Sequence, residues 1–188
     1  MANNKLFIPI LLGTVRQGRE SEKVANWVLR WAEEDARFDT QLMDVRNMDL
    51  PMDDEGEALK EKNPEYKAMI EKADGLIIVS PEYNRGYPGS LKRAIDVLLD
   101  EYNHRAVGIV GVSSGGFGGA RMIEHLLPVL RTFGMVTIWR DLNFTNVGEV
   151  FDGYGNPITK EYEDRIRGFF DELVWMSQVL RDGRDNYK

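Results

Sequence analysis

The sequence predicts an open, doubly wound α/β sheet: five parallel strands in the order 2-1-3-4-5, with helices on both faces. Three observations lead there. Several runs are apolar at successive residues rather than alternate ones, as strands covered on both faces require. Stripes with the i, i+3, i+4, i+7 spacing of a helix face lie between them. The two patterns alternate along the chain, β-α-β-α, and that order favours a parallel sheet with crossover helices.

The first strand is read at Leu6–Leu12. Pro9 sits awkwardly inside it, because proline cannot donate to a ladder and this strand is central, so a bulge or a shifted strand is expected there. Val24, Trp27, Val28, Trp31 and Ala32 mark the first helix, and Thr40–Val45, short and half polar, fits an edge strand. Tyr66, Met69, Ile70 and Ala73 give a shorter helix before the third strand, Gly75–Val79. Leu91, Ala94, Ile95, Leu98 and Leu99 form the next helical face, with Pro88 as its first residue. Ala106–Val112 is the fourth strand, Ile123, Leu126, Leu127 and Leu130 the helix after it, and Val136–Trp139 a weaker fifth strand. Asn143–Pro157 reads as a long loop before a final helix carrying Ile166, Phe169, Phe170, Leu173 and Val174. No repeat or linker divides the chain, so residues 1–188 are expected to form one domain.

Composition narrows the function. With 43% hydrophobic and 29% charged residues, the chain has the aliphatic content that disordered segments lack. A net charge of −7 repels phosphate backbones, so nucleic acid is not an expected partner. The absence of Cys excludes disulfides, thiolate metal sites and a Cys nucleophile, and no metal site is expected. The apolar stretch ending at Leu12 is too short to span a bilayer and is followed by no small-residue cleavage site. A cytoplasmic protein without a membrane partner is the expectation.

In an open α/β sheet, ligands bind outside the carboxyl ends of the strands near the switch in strand order. Three loops there have unusual composition. The first, Gly13 to Ser21, contains two glycines, Thr14, Ser21, Arg16 and Arg19, and leads into a helix. Guanidinium groups, hydroxyls and a helix N-terminus suit a phosphate, although Ser21 also fits a plain N-cap between two solvated arginines. No Gly-Lys-Ser/Thr follows the glycines, which disfavours a nucleoside triphosphatase. The second loop, Ser80 to Ser90, is stiffened by Pro81 and Pro88, while Tyr83, Asn84 and Tyr87 could meet a planar ring. The third, Ser113-Ser114-Gly115-Gly116-Phe117-Gly118-Gly119, offers backbone amides and one bulky group, Phe117.

The string Pro81-Glu82-Tyr83-Asn84-Arg85-Gly86-Tyr87-Pro88-Gly89-Ser90-Leu91-Lys92-Arg93-Ala94-Ile95-Asp96 closely resembles the signature of the NADPH-dependent FMN reductase family, which includes quinone, azo-dye and chromate reductases. Gly13-Thr14-Val15-Arg16 with Ser21 is similar to its phosphate loop and Ser113–Gly119 to its third flavin loop. The resemblance implies a flavodoxin-like fold binding FMN. It places the phosphate on Thr14, Arg16 and Ser21, with Arg19 as an alternative to Ser21. It sets Pro81, Glu82, Tyr83 and Asn84 along the isoalloxazine, with Ser113, Gly115, Gly116 and Phe117 on its other side. It further implies ping-pong hydride transfer from NADPH or NADH through FMN to a quinone, flavin, azo or metal-ion acceptor. No catalytic side chain is required, because the flavin N5 carries the chemistry. Arg85, Tyr87 and Arg121 are candidates for substrate contacts, Arg85 or Arg121 for the 2′-phosphate of NADPH.

Three other readings compete with this one. A flavodoxin-type electron carrier would share these loops without oxidising NADPH itself. A serine hydrolase could use Ser113, since Gly111-Val112-Ser113-Ser114-Gly115 matches G-x-S-x-G, but no His follows residue 125 to complete the triad in that fold's order. A receiver-type signalling domain needs acidic residues where this chain has Gly13-Thr14 and Ser80-Pro81. Family resemblance and the apolar surplus on the Leu91–Leu99 and Ile123–Leu130 helices suggest a homodimer or homotetramer, with Tyr87, Tyr102 and Met122 at the interface.

Overall fold

The computed structural model describes residues 5–53 and 56–187. The first apolar run is parted at Pro9 into β1 (Leu6–Phe7) and β2 (Ile10–Leu12). The chain is not bulged there. Ile8 N–H donates to Asp39 O at 2.9 Å, Ile10 N–H to Gln41 O at 2.8 Å, and Ile77 N–H to Pro9 O at 2.9 Å. Pro9 accepts but cannot donate, so the ladder loses one rung and otherwise carries on. Helix α1 (Ser21–Glu34) follows, then β3 (Phe38–Asp39) and β4 (Leu42–Asp44), which pair in parallel with β1 and β2.

Helices α2 (Gly56–Lys62) and α3 (Pro64–Lys72) come next; the periodicity pointed only to α3. Strand β5 (Gly75–Pro81) and, after α4 (Gly89–Ile95), strand β6 (Ala106–Val112) form the buried centre of the sheet, paired over seven residues. Helix α5 (Ala120–Thr132), β7 (Val136–Thr137), β8 (Leu142–Phe144) and α6 (Glu161–Asn186) complete the order. The hydrogen-bonded path is β4-β2-β5-β6-β7, all parallel, with β8 resuming the ladder on β6 beyond β7. Helices α1 and α6 pack Trp27, Phe169 and Phe170 on one face. Helices α3, α4 and α5 pack Tyr66, Leu91 and Leu126 on the other. The fold is a flavodoxin-like α/β sandwich of helix, sheet and helix layers.

Several local expectations change. The five strands appear as eight segments, because Pro9 divides the first, Thr40-Gln41 separates β3 from β4 on the edge, and Ile138-Trp139-Arg140-Asp141 interrupts the last. Trp139 leaves the sheet and is 71% exposed, and the loop expected from Asn143 starts within β8. Helix α4 ends at Ile95; Val97 and Leu98 are buried in the turn that follows, so the apolar spacing outlasts the helix. Pro88 is the residue before that helix, with φ −61° and ψ 141°, and not its first turn. Tyr102 and Met122 are fully buried and unavailable to an interface. The Tyr102 hydroxyl needs a partner in the core and finds the Tyr66 hydroxyl at 2.6 Å, while burial pushes the pKa of both up. Among the described residues, no helix is long and apolar enough to cross a membrane.

Candidate active site

The carboxyl ends of β2, β5 and β6 open onto one cleft, with a cavity volume of about 230 Å³. Its floor is the start of α1 and its walls are the second and third loops. Helix α1 begins at Ser21 itself, with Glu20 in the capping position, so Ser21 is not an N-cap. The Ser21 hydroxyl is buried and has no hydrogen-bond partner. An orphaned hydroxyl costs about 1–3 kcal/mol, so this one marks a place for an acceptor from outside the chain. It lies in the first turn of a 14-residue helix, where the dipole favours an anion.

The two arginines of this loop part company. Arg16 lines the cleft with an exposed side chain. Arg19 also borders it, but its guanidinium is spent elsewhere. Nη1 donates to Asp44 Oδ1 at 2.8 Å, Nη2 donates to Oδ2, Nε donates to Glu22 at 3.3 Å, and the Thr14 carbonyl accepts a further bond. The Arg19 side chain is 1% exposed. Burial works against the Asp44 charge, yet the Arg19 bond and the Arg46 N–H outweigh it and hold the carboxyl below its ordinary value. The fork-to-carboxylate pair ties the first loop to the end of β4. Thr14, itself buried, shares a 2.9 Å hydrogen bond between its hydroxyl and that of Tyr83, joining the first loop to the second.

The second loop is a tight hairpin. Tyr83 N–H donates to Gly86 O at 2.8 Å and Gly86 N–H to Tyr83 O at 2.9 Å. Asn84 and Arg85 between them have φ of 49° and 73°. Two central residues with positive φ make a type I′ turn, and Arg in the second of those positions, where glycine is usual, is strained. Pro81, Glu82 and Tyr83 line the cleft; Asn84 and Arg85 are exposed at the turn and Tyr87 is half-buried. Glu82 Oε1 lies 3.4 Å from Arg121 Nη1, while Oε2 is buried without a partner.

In the third loop, Ser113 and Ser114 line the cleft, but Gly115, Gly116 and Phe117 lie outside its walls. Its four glycines divide by role. A Cβ on Gly119 (φ 83°) would come within 2.7 Å of Gly111 Cα, and one on Gly118 within 2.7 Å of Asn143 Cβ. These two are required by close backbone packing. Gly115 and Gly116 face open space. The Ser113 hydroxyl donates to the Gly115 carbonyl at 2.7 Å and so closes its own turn instead of facing a histidine. His104 and His125 are both exposed. Val112 and Val147 add apolar wall. Val147 sits in the segment read as a plain loop, and its backbone reaches the site because its N–H donates to Ser113 O at 3.1 Å. Asp44, which immobilises Arg19, was also missed. Its only signal is an acid at the end of an edge strand.

Three loops around a helix start, at the carboxyl edge of a parallel sheet, define a flavodoxin-like mononucleotide-binding protein. The model of the NADPH-dependent FMN reductase family matches residues 8–148. The chain is 32% identical over 150 residues to an NAD(P)H-dependent FMN reductase of Schizosaccharomyces pombe, covering 71% of this chain and 74% of that one. It is 28% identical over 175 residues to a 2-hydroxy-1,4-benzoquinone reductase of a Burkholderia species, covering 90% and 94%. Among solved structures, a flavoenzyme NAD(P)H:(acceptor) oxidoreductase of Paracoccus denitrificans superposes with a TM-score of 0.76 at 23% identity, over 93% of this chain and 98% of that one, a likeness of fold. The chain belongs to the NADPH-dependent FMN reductase family and is an FMN-dependent NAD(P)H oxidoreductase.

Proposed function

We propose that the cleft holds FMN with its phosphate on the Ser21 hydroxyl, the start of α1 and Arg16, and its ring along Pro81, Glu82, Tyr83 and Asn84. The observation that carries this is the buried, partnerless Ser21 hydroxyl in the first turn of α1. Arg19 then serves the site indirectly, by keeping the first loop in place through Asp44. Thr14 belongs to that scaffold too, through Tyr83. A cavity of about 230 Å³ is smaller than the 300–1,000 Å³ that wraps a whole ligand, so a flavin here keeps part of its ring open to a second molecule.

When bound, FMN supplies the hydride chemistry between NAD(P)H and the acceptor. The chain's residues orient the ring and exclude water from its buried side, and Ser113, Gly115 and Gly116 bring backbone amides to the rim. The acceptor is a small molecule of the quinone class, in line with the Burkholderia relative. Donor and acceptor use the same open face in turn. Double-reciprocal plots against NADPH at several quinone concentrations are therefore parallel; intersecting lines would refute alternation.

A cytoplasmic homodimer or homotetramer remains part of this proposal. Its support is the set of large apolar side chains left in solvent, among them Leu99, Trp139 and Trp175, and light scattering reads it directly.

A further inference from the structure

Phe117 is 57% exposed in the third loop, three residues beyond Ser114, which lines the cleft. A bulky aromatic so placed leaves more than half of its surface in water. It is nevertheless held. The Arg121 guanidinium lies over its ring, 3.7 Å from the centroid. Arg121 is in turn drawn toward the cleft by Glu82, whose Oε1 is 3.4 Å from its Nη1. Glu82 lines the cleft and its side chain is only 10% exposed, so this end of the chain of contacts is fixed. One face of the ring is thus backed by a planar cation, a contact worth about 0.5–2 kcal/mol, and more than half of the side chain stays open to solvent.

We propose that Phe117 is the surface on which the planar electron acceptor stacks, and that Arg121 is the positioning residue that holds it at the rim from Glu82. The inference rests on the flavin reading above and adds to it the residues that select the acceptor. An exposed, immobilised ring recognises a flat, conjugated molecule through offset stacking, and gives nothing to an acceptor without a flat face. It also reassigns Phe117, which lies outside the walls of the cleft, from covering the flavin to meeting the second substrate.

The test uses the flavin-loaded protein and the variants Phe117→Leu, Phe117→Tyr, Arg121→Met and Arg121→Lys. The first readout is calorimetric binding of 1,4-naphthoquinone to the oxidised protein without donor. The second is the ratio of kcat/KM for naphthoquinone to that for ferricyanide, measured in about 1 M salt, where the Debye length is about 3 Å and the Arg121 charge no longer attracts the anion. Phe117→Leu raises the naphthoquinone Kd and lowers the ratio, each by about fivefold to tenfold, as a lost aromatic pair implies. Phe117→Tyr restores both. Arg121→Met follows Phe117→Leu, and Arg121→Lys, which keeps a cation over the ring, recovers most of the loss. Unchanged values in Phe117→Leu, or an equal loss in Phe117→Tyr, would overturn the proposal. Loss of flavin from Phe117→Leu would also overturn it, by making the ring part of the cofactor's shell. A wild-type protein that takes up no FMN fails the flavin reading instead, before any of these ratios can be formed.

Discussion

Ser21 and Ser177 carry the same defect, a buried hydroxyl with no partner, in different surroundings. Ser177 lies on the buried face of α6 against Gly75 of β5, where a Cβ on that glycine would lie 2.3 Å from the Ser177 Oγ. No ligand can reach it, so Ser177→Ala removes an unsatisfied group and leaves the melting temperature unchanged or higher. Ser21→Ala does the same for the flavin-free protein but weakens FMN binding about tenfold to a hundredfold, the worth of a hydrogen bond to a charged group. Thermal melts with and without FMN separate the two. Asp141 supplies a pH signature. Burial, with help from Glu124, pushes its pKa from 3.8 up to about 6. The fold therefore prefers the protonated form, and its contribution is complete below about pH 4 and lost as the pH rises through about 6. Asp141→Asn is expected to raise stability at pH 8 by about 1–2 kcal/mol, after discount for solvent screening, and to do little at pH 4. Denaturant melts at the two pH values check both halves. At this scale the sequence was half legible. Glycines, hydroxyls and arginines near the cleft could be named, but the pairing of Arg19 with Asp44 spans 25 positions and two loops, and no local spacing reveals it.

The elements were easier to read than their ends. Strands β5 and β6 are apolar at nearly every residue because both faces are covered, and that pattern is visible without coordinates. Helix α4 is shorter than its apolar spacing because Leu98 continues the helical period while being buried from a turn, so burial and periodicity agree for different reasons. The fifth strand reads as ending at Trp139 because β8 has only three residues, with polar Asn143 between Leu142 and Phe144. The type I′ turn at Asn84-Arg85 was hidden for another reason. Its usual signature is Asn-Gly, and here arginine occupies the glycine position with φ 73°. Strain of this kind persists where function demands a side chain. Arg85→Gly is expected to raise stability by about 1 kcal/mol. If Arg85 also reads the donor's 2′-phosphate, the same variant raises KM for NADPH and spares KM for NADH. Equal stability of the two proteins would remove the argument for strain.

For the whole molecule, the sheet's role is to bring three distant loops to one edge and lock them together. Arg19–Asp44 fastens the first loop to β4, Thr14–Tyr83 fastens the first to the second, and Arg121–Glu82 fastens the second to the start of α5. With an overall charge of −7, and with Arg19 held by Asp44, the anion-favouring zone of the cleft is the exposed Arg16 guanidinium and the N-terminal end of α1. That zone is the centre of this account, and comparing two ligands that differ only in a phosphate tests it. The protein is stripped of flavin and titrated with FMN and with riboflavin, and the same is done for Ser21→Ala and Arg16→Ala. The account predicts that wild type binds FMN at least about a hundredfold more tightly than riboflavin, as two or more charge-assisted bonds imply, and that each variant narrows the gap chiefly by weakening FMN. Equal affinity for the two in wild type, or a gap that neither substitution alters, would contradict it.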